Sequence, residues 1–263
     1  MTVAAEARSH IAARLAAVAA EEGVRILYAA ESGSRAWGFG SPDSDYDVRF
    51  LYAHDLAWYL RLEPGRDVIE RPLDGKLVDL AGWDIRKALR LLLRSNPTLY
   101  EWLVSPIVYA DSPLRERLAA LFEAHASPAA LAHHYWSIAR GQWRREIEGR
   151  SVVRLKKYFY VVRPLLSLAW IAERAGPPPM AIDALLADAA MPAPARAALD
   201  GLLRDKRERP ELGAQPRLPA LDAWAQGELQ RLDPGRLALS GAPPRPMREE
   251  ADRLFREIVG ATH

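Results

Sequence analysis

Gly33-Ser34, a ten-residue spacer from Arg35 to Ser44, and then Asp45-Tyr46-Asp47 combine a turn suited to phosphate with two carboxylates suited to a divalent cation. Such a set serves in-line displacement at phosphorus. Without a Cβ, Gly33 can take a positive φ and bring backbone N–H groups close to an anion, while the Ser34 hydroxyl can donate to a phosphate oxygen. Mg²⁺ or Mn²⁺ takes oxygen ligands and is recruited by one or two carboxylates together with the phosphates of a substrate. A two-ion site wants a further acid. Asp79, in the apolar run Leu77-Val78-Asp79-Leu80, is the candidate, because a lone acid among apolar neighbours is costly unless it meets a cation or a donor. Asp74 precedes Gly75 in a turn and Asp84 stands where a helix N-cap falls, so both have structural explanations.

Positioning these groups requires a strand, a tight turn and a second strand. Arg25 to Ala30 is a short, mostly apolar run that suits a buried strand, and the chain turns at Glu31-Ser32-Gly33-Ser34. Ser34-Arg35-Ala36-Trp37 is expected to open a helix whose N-terminus favours an anion. Gly38, Gly40, Pro42 and Asp43-Ser44 make the spacer a loop. From Asp45 to Tyr52 the alternation places Asp45, Asp47 and Arg49 on one face and turns Tyr46, Val48 and Phe50 into a core. Arg35 and Arg49 are then either phosphate ligands or ion-pair partners of the acids.

Gly-Ser, a spacer of about ten residues, Asp-x-Asp and a later single acid resemble the signature of the DNA polymerase β-like nucleotidyltransferase superfamily. The string from Gly33 to Arg49 resembles more particularly its RNA-ligase-associated branch. So do Gly82-Trp83-Asp84-Ile85-Arg86-Lys87-Ala88-Leu89, Ser95-Asn96-Pro97-Thr98 with Glu101-Trp102-Leu103, and Arg154-Leu155-Lys156-Lys157-Tyr158-Phe159-Tyr160, so the likeness spans about two-thirds of the chain. The resemblance implies an α+β fold: a catalytic domain over 1–110, with a small mixed sheet and flanking helices, then an all-helical domain over 111–263 that closes the nucleotide cleft. It implies Asp45, Asp47 and Asp79 as catalytic metal ligands, Gly33, Ser34 and Arg35 against the NTP phosphates, and Lys156, Lys157 and Tyr160 offered to the triphosphate. The reaction implied is transfer of an NMP from an NTP to an acceptor hydroxyl with release of pyrophosphate. An RNA end, in repair or tailing, is the implied acceptor, with an RNA ligase as companion. A protein or small-molecule acceptor such as an aminoglycoside, or a non-catalytic nucleotide-binding regulatory module, are the alternatives; the intact acids speak against the last.

The 263 residues, 49% of them apolar, are enough for two domains with cores of their own. A net charge of +2 excludes a chain that binds nucleic acid through its overall charge, so any basic surface is local. Between Tyr135 and Arg163 eight Arg or Lys stand against two Glu, a local balance of +6, interleaved with Trp136, Trp143, Tyr158 and Tyr160, which suits phosphate and stacked bases. A helix from Val152 onward would gather Leu155, Phe159, Val162 and Leu166 on one stripe and Lys156, Tyr160 and Arg163 on another. With no cysteine, disulfides and thiolate chemistry are excluded, and the cytoplasm is the natural setting. No histidine pair has zinc spacing, and no run approaches a membrane span.

Three further helices follow from periodicity and caps: an alanine-rich one over 5–20 ending at Gly23, one from Asp84 to Arg94, and one opened by a Thr98/Glu101 capping box. Pro177-Pro178-Pro179, Arg209 to Pro219 and Ala242 to Pro246 are expected as connections between helices. The Arg204 to Arg209 charge run and a last helix near Arg248 to Ile258 are expected as solvated faces, with partner surfaces as the alternative.

Overall fold

The computed structural model describes residues 3–209, 212–239, 241 and 245–260. The chain divides into two units: residues 1–36, 45–126 and 243–263 form the first, and residues 37–44 and 127–242 the second. The boundary expected at residue 110 therefore lies inside the first unit, the spacer 37–44 joins the helical half, and the C-terminal segment joins the sheet half. Of the Pro-rich connections, Pro210 with Glu211 and Ala242 to Pro244 lie outside the described residues.

The first unit opens with α1 (Ala5–Glu22), which buries Ile11, Leu15 and Val18 and closes at Gly23 in the left-handed region. Then come β1 (Arg25–Glu31), the single helical turn α2 (Gly33–Ala36), β2 (Tyr46–Ala53), α3 (Leu56–Tyr59), β3 (Val68–Arg71) and β4 (Val78–Asp84). They are followed by α4 (Ile85–Leu92), α5 (Pro97–Leu103), β5 (Val108–Ala110) and α6 (Pro113–His125). The sheet runs β3-β4-β2-β1-β5, with β2 and β4 parallel and the other pairs antiparallel, so the fold is α+β with a small mixed sheet. Val48, Phe50 and Tyr52 of β2 and Val78 and Leu80 of β4 share a core with the inner face of α1, as period-two alternation dictates.

Asp84 caps α4 by accepting from the Arg86 N–H at 2.8 Å. The cap of α5 is Asn96, which accepts from Thr98 N–H at 2.9 Å with Pro97 in the first turn, and not the expected Thr98/Glu101 box; Glu101 is buried. Asp74 holds its turn by accepting from Lys76 and Val78 N–H groups and ties α1 to it through His10 and Arg14.

The second unit contains α7 (Pro128–Glu146), β6 (Val152–Arg154), a 3₁₀ turn (Leu155–Tyr158), α8 (Phe159–Arg174), α9 (Ile182–Ala187), α10 (Ala193–Glu208), β7 (Ala214–Pro216), α11 (Pro219–Arg231) and a 3₁₀ turn (Pro234–Arg236). The helix expected from Val152 starts at Phe159 instead. The β-branched pair Val152-Val153 is extended and pairs with β7 inside the segment expected as a plain connection. Leu155, Phe159, Val162 and Leu166 are all buried nonetheless. Arg163, expected on the outward stripe, is buried too, its guanidinium 4.6 Å from the Trp37 ring and 3.0 Å from the Met180 carbonyl that it donates to.

The spacer 37–44 is anchored within this helical unit. Phe39 stacks on Phe159 at 4.6 Å, Arg207 donates to the Gly38 carbonyl at 2.9 Å, and Lys206 bonds Ser41 Oγ at 2.7 Å. Part of the Arg204 to Arg209 run is therefore structural and not a solvated face. The chain ends with α12 (Arg245–Val259) in the first unit, where Met247, Ala251, Leu254 and Val259 are buried and Glu257 pairs with Arg117 at 2.8 Å. Its inner face is packed, while Arg253 and Arg256 on the other face stay exposed. Among the described residues no helix is long and apolar enough to cross a membrane.

Candidate active site

The end of β1 and the start of β2 are fastened together by backbone and side chain. Ser32 N–H donates to the Asp47 carbonyl at 2.8 Å, and Asp47 N–H donates to Glu31 Oε1 at 2.9 Å. Between them sits Gly33 at φ 62°, so close to the strand that a Cβ there would lie 2.0 Å from Asp47 Oδ2. Only glycine allows both the left-handed backbone and this approach. The helix begins at Gly33, one residue before the expected Ser34, and is a single turn that stops at Ala36. A single turn carries little macrodipole, so this helix end has only its local N–H groups and the Ser34 hydroxyl to offer an anion.

Parallel pairing sets Asp47 of β2 beside Asp79 of β4. Arg49, two residues along β2, donates to Asp47 Oδ1 at 2.9 Å and stands 2.9 Å from Asp79 Oδ2, so one guanidinium bridges both acids. Arg49 is thus an ion-pair partner of the carboxylates. Asp45 is exposed and precedes β2; Arg35 holds that point by donating to the Asp45 carbonyl at 3.3 Å while its guanidinium lies 4.2 Å from the Tyr46 ring centre. Burial raises the Asp47 carboxyl, Arg49 draws it back, and the charges of Asp79 and Asp45 push it up again, leaving it above the ordinary range.

Among the described residues no three His, Asp or Glu side chains are already gathered as a metal cluster. The donor chemistry nevertheless fits Mg²⁺ or Mn²⁺. Asp47 and Asp79 are hard oxygen ligands that repel each other and share a cation in the form of Arg49, and such ions ask for only one or two carboxylates beside substrate phosphates.

Glu31 is a member of this arrangement that sequence reasoning assigned only to the turn. Fully buried, it accepts from Asp47 N–H through Oε1 and from the Tyr109 hydroxyl through Oε2 at 2.5 Å. Burial pushes its carboxyl up to about 7, opposed by those two hydrogen bonds. The folded protein therefore binds a proton that the unfolded chain, titrating near 4.5, has released, and stability falls as pH rises between the two values. Glu31→Gln is expected to remove that slope and to stabilise the metal-free protein at pH 8 by about 3 kcal/mol. Urea unfolding from pH 4.5 to 8 with EDTA checks it; equal slopes in both proteins would refute the assignment.

Lys156, Lys157 and Tyr160 belong to the helical unit. Lys157 pairs with Glu146 at 3.2 Å and lies 5.8 Å from the centre of the Tyr160 ring, whose edge meets Trp37 at 6.2 Å; Lys156 stands in the 3₁₀ turn. Trp83 and Trp102 stack at 3.8 Å as packing residues.

Residues 7–257 match the family described as the RNA repair pathway DNA polymerase beta family, RlaP. A curated relative, the "uncharacterized protein YcgL" of Bacillus subtilis (strain 168), is 40% identical over 238 residues, which make up 90% of each chain. A solved nucleotidyltransferase-like protein from Exiguobacterium sibiricum 255-15 aligns with 96% of this chain and 80% of its own, at 12% identity and a TM-score of 0.28.

Proposed function

Since this chain belongs to the RNA repair pathway DNA polymerase beta family, we propose that it transfers an NMP from an NTP to the hydroxyl of an RNA end. The observation that carries this reading is the position of Asp47, which lies against the Gly33 turn, pairs with Arg49 and is in register with Asp79. A turn for phosphate and a pair of acids thereby meet at one side chain. Gly33 and Ser34 hold the outer phosphates of the NTP, with Arg35 fixing the strand entrance beside them. Asp45 and Asp47 serve the triphosphate side and Asp79 the acceptor side. These acids would hold Mg²⁺ or Mn²⁺, which when bound supplies charge neutralisation to the phosphates.

In the reaction the acceptor hydroxyl gives up its proton to water, its oxygen bonds to the α-phosphorus, the bond from that phosphorus to the bridging oxygen of the β-phosphate breaks, and pyrophosphate leaves. The protein's own part is placement and charge complementarity, which suffices for phosphoryl transfer. RNA as acceptor is supported by the description of the family and by the local +6 stretch with its interleaved aromatics.

The test is transfer of label from each α-³²P NTP, with Mg²⁺ or Mn²⁺, to a mixed RNA pool beside an Asp45→Asn/Asp47→Asn control. Labelled RNA that disappears in the control is expected. Label appearing only on protein or small molecules would refute the RNA acceptor, and label on RNA that survives in the control would refute the site.

A further inference from the structure

Trp136, Arg140 and Arg144 on α7, Gln226 on α11 and Arg236 in the turn that follows it line one cavity of about 420 Å³ within the helical unit. Trp143, buried, completes the α7 wall. The size is that of a small-ligand pocket. Trp136 is fixed from behind, its indole N–H donating to the Leu229 carbonyl at 3.1 Å, and its ring carries the Arg140 guanidinium at 4.7 Å.

The three guanidiniums are exposed and share one cavity without a carboxylate partner among the described residues; Arg61, Arg90 and Arg94, also exposed, lack such a partner too but do not line this cavity. Elsewhere Arg71, Arg196, Arg231 and Arg253 each pair with carboxylates. Among the described residues, none of Arg140, Arg144 and Arg236 has an ion pair, and Arg236 donates only to the Gln230 carbonyl at 3.4 Å. Glu148 and Asp233 also line the cavity; Asp233 is engaged by the Gly235 N–H at 2.9 Å, and neither acid reaches salt-bridge distance of the three. Unpaired guanidiniums in a concave surface favour phosphate oxygens, and an indole in the same wall offers a flat face to a base.

We propose that this cavity is a binding site for single-stranded RNA, taking successive phosphodiesters at Arg140, Arg144 and Arg236 with a base against Trp136. A single strand fits because its bases are free to enter a concavity, whereas in a duplex they are stacked and paired. The choice of RNA rests on the reaction proposed above; the phosphate and base chemistry does not.

The experiment is anisotropy of a fluorescein-labelled, mixed-sequence single-stranded oligoribonucleotide, measured against salt without NTP. Three proteins are compared: the unaltered chain, Arg140→Gln/Arg144→Gln/Arg236→Gln, and an equal change of charge on α12, Arg248→Gln/Arg253→Gln/Arg256→Gln. The cavity variant is expected to bind about 10-fold more weakly or worse at 0.1 M salt and to lower the slope of log Kd against log salt by about 2, as the loss of three phosphate contacts requires. The α12 variant is expected to bind as the unaltered chain does. Arg144→Gln alone, at an exposed position, should lower the slope by about 0.7 and guards against a triple variant that folds poorly. Equal losses in both triple variants, unchanged binding in the cavity variant, no binding by the unaltered chain, or displacement by an acidic peptide as readily as by unlabelled RNA would each overturn the site. RNA labelling with binding indifferent to the cavity would sink this site and leave the reaction standing. Cavity-dependent binding without NMP transfer would do the reverse.

Discussion

Asp47→Asn is expected to lower NMP transfer by about 10²–10³-fold and, in the same protein, to raise the melting temperature at pH 8. The loss follows from what Asp47 touches: the Gly33 turn on one side, Arg49 on another, and Asp79 through strand register. The gain follows from its titration. Burial first, then the charges of Asp79 and Asp45, raise this carboxyl above its ordinary range despite Arg49. A folded state with a raised carboxyl binds protons more tightly than the unfolded chain, so its stability advantage is full at low pH and is lost as pH rises through the folded value. Asparagine keeps the shape, carries no charge and leaves Arg49 its pair with Asp79. Activity and stability then move in opposite directions, as at a site held strained for function. Label transfer and thermal melts from pH 4 to 8 in EDTA test both parts. Transfer within 10-fold of the unaltered chain would remove Asp47 from the site, and a lower melting point at pH 8 would mean that the Arg49 pair outweighs burial and repulsion.

The strands that carry the acids could be read from local pattern because alternation and burial are local properties. Val48 and Phe50 point into the core as their spacing requires, and Asp79 stood out as an acid in an apolar run. Glu31 did not stand out, since it ends a buried strand and its partner Tyr109 lies 78 residues away. The spacer 37–44 behaves the same way: Trp37 and Phe39 are ordinary loop aromatics until Arg163, Phe159 and Arg207 are brought to them by the fold. Similarly, nothing within Arg245–Val259 says that its apolar face returns to the sheet unit. Two differences were local and came from weighing the wrong signal. Asn96 followed by Pro97 is a stronger helix start than Thr98 with Glu101, and Val152-Val153 prefers an extended backbone even when a helical stripe can be drawn through Leu155.

Gly33→Ala is expected to cut NMP transfer by about 10²-fold, whereas Gly23→Ala leaves it unchanged. Both glycines sit in the left-handed region, at φ 62° and 63°, so both substitutions cost about the same backbone strain, roughly 1–2 kcal/mol. They differ in what the new Cβ meets. At Gly23 nothing lies within 4 Å; at Gly33 the Cβ falls 2.0 Å from Asp47 Oδ2 and 2.9 Å from its Cγ. The carboxylate is the mobile end of a side chain and can swing aside, so the collision adds little to unfolding but moves the acid by an ångström or more. A catalytic group displaced that far loses about 10²-fold. Urea unfolding of both variants beside their label transfer separates the two effects. Similar stabilities with activity lost only in Gly33→Ala would tie the turn to the acid; equal activities would mean that the close approach of Gly33 to Asp47 has no part in the chemistry.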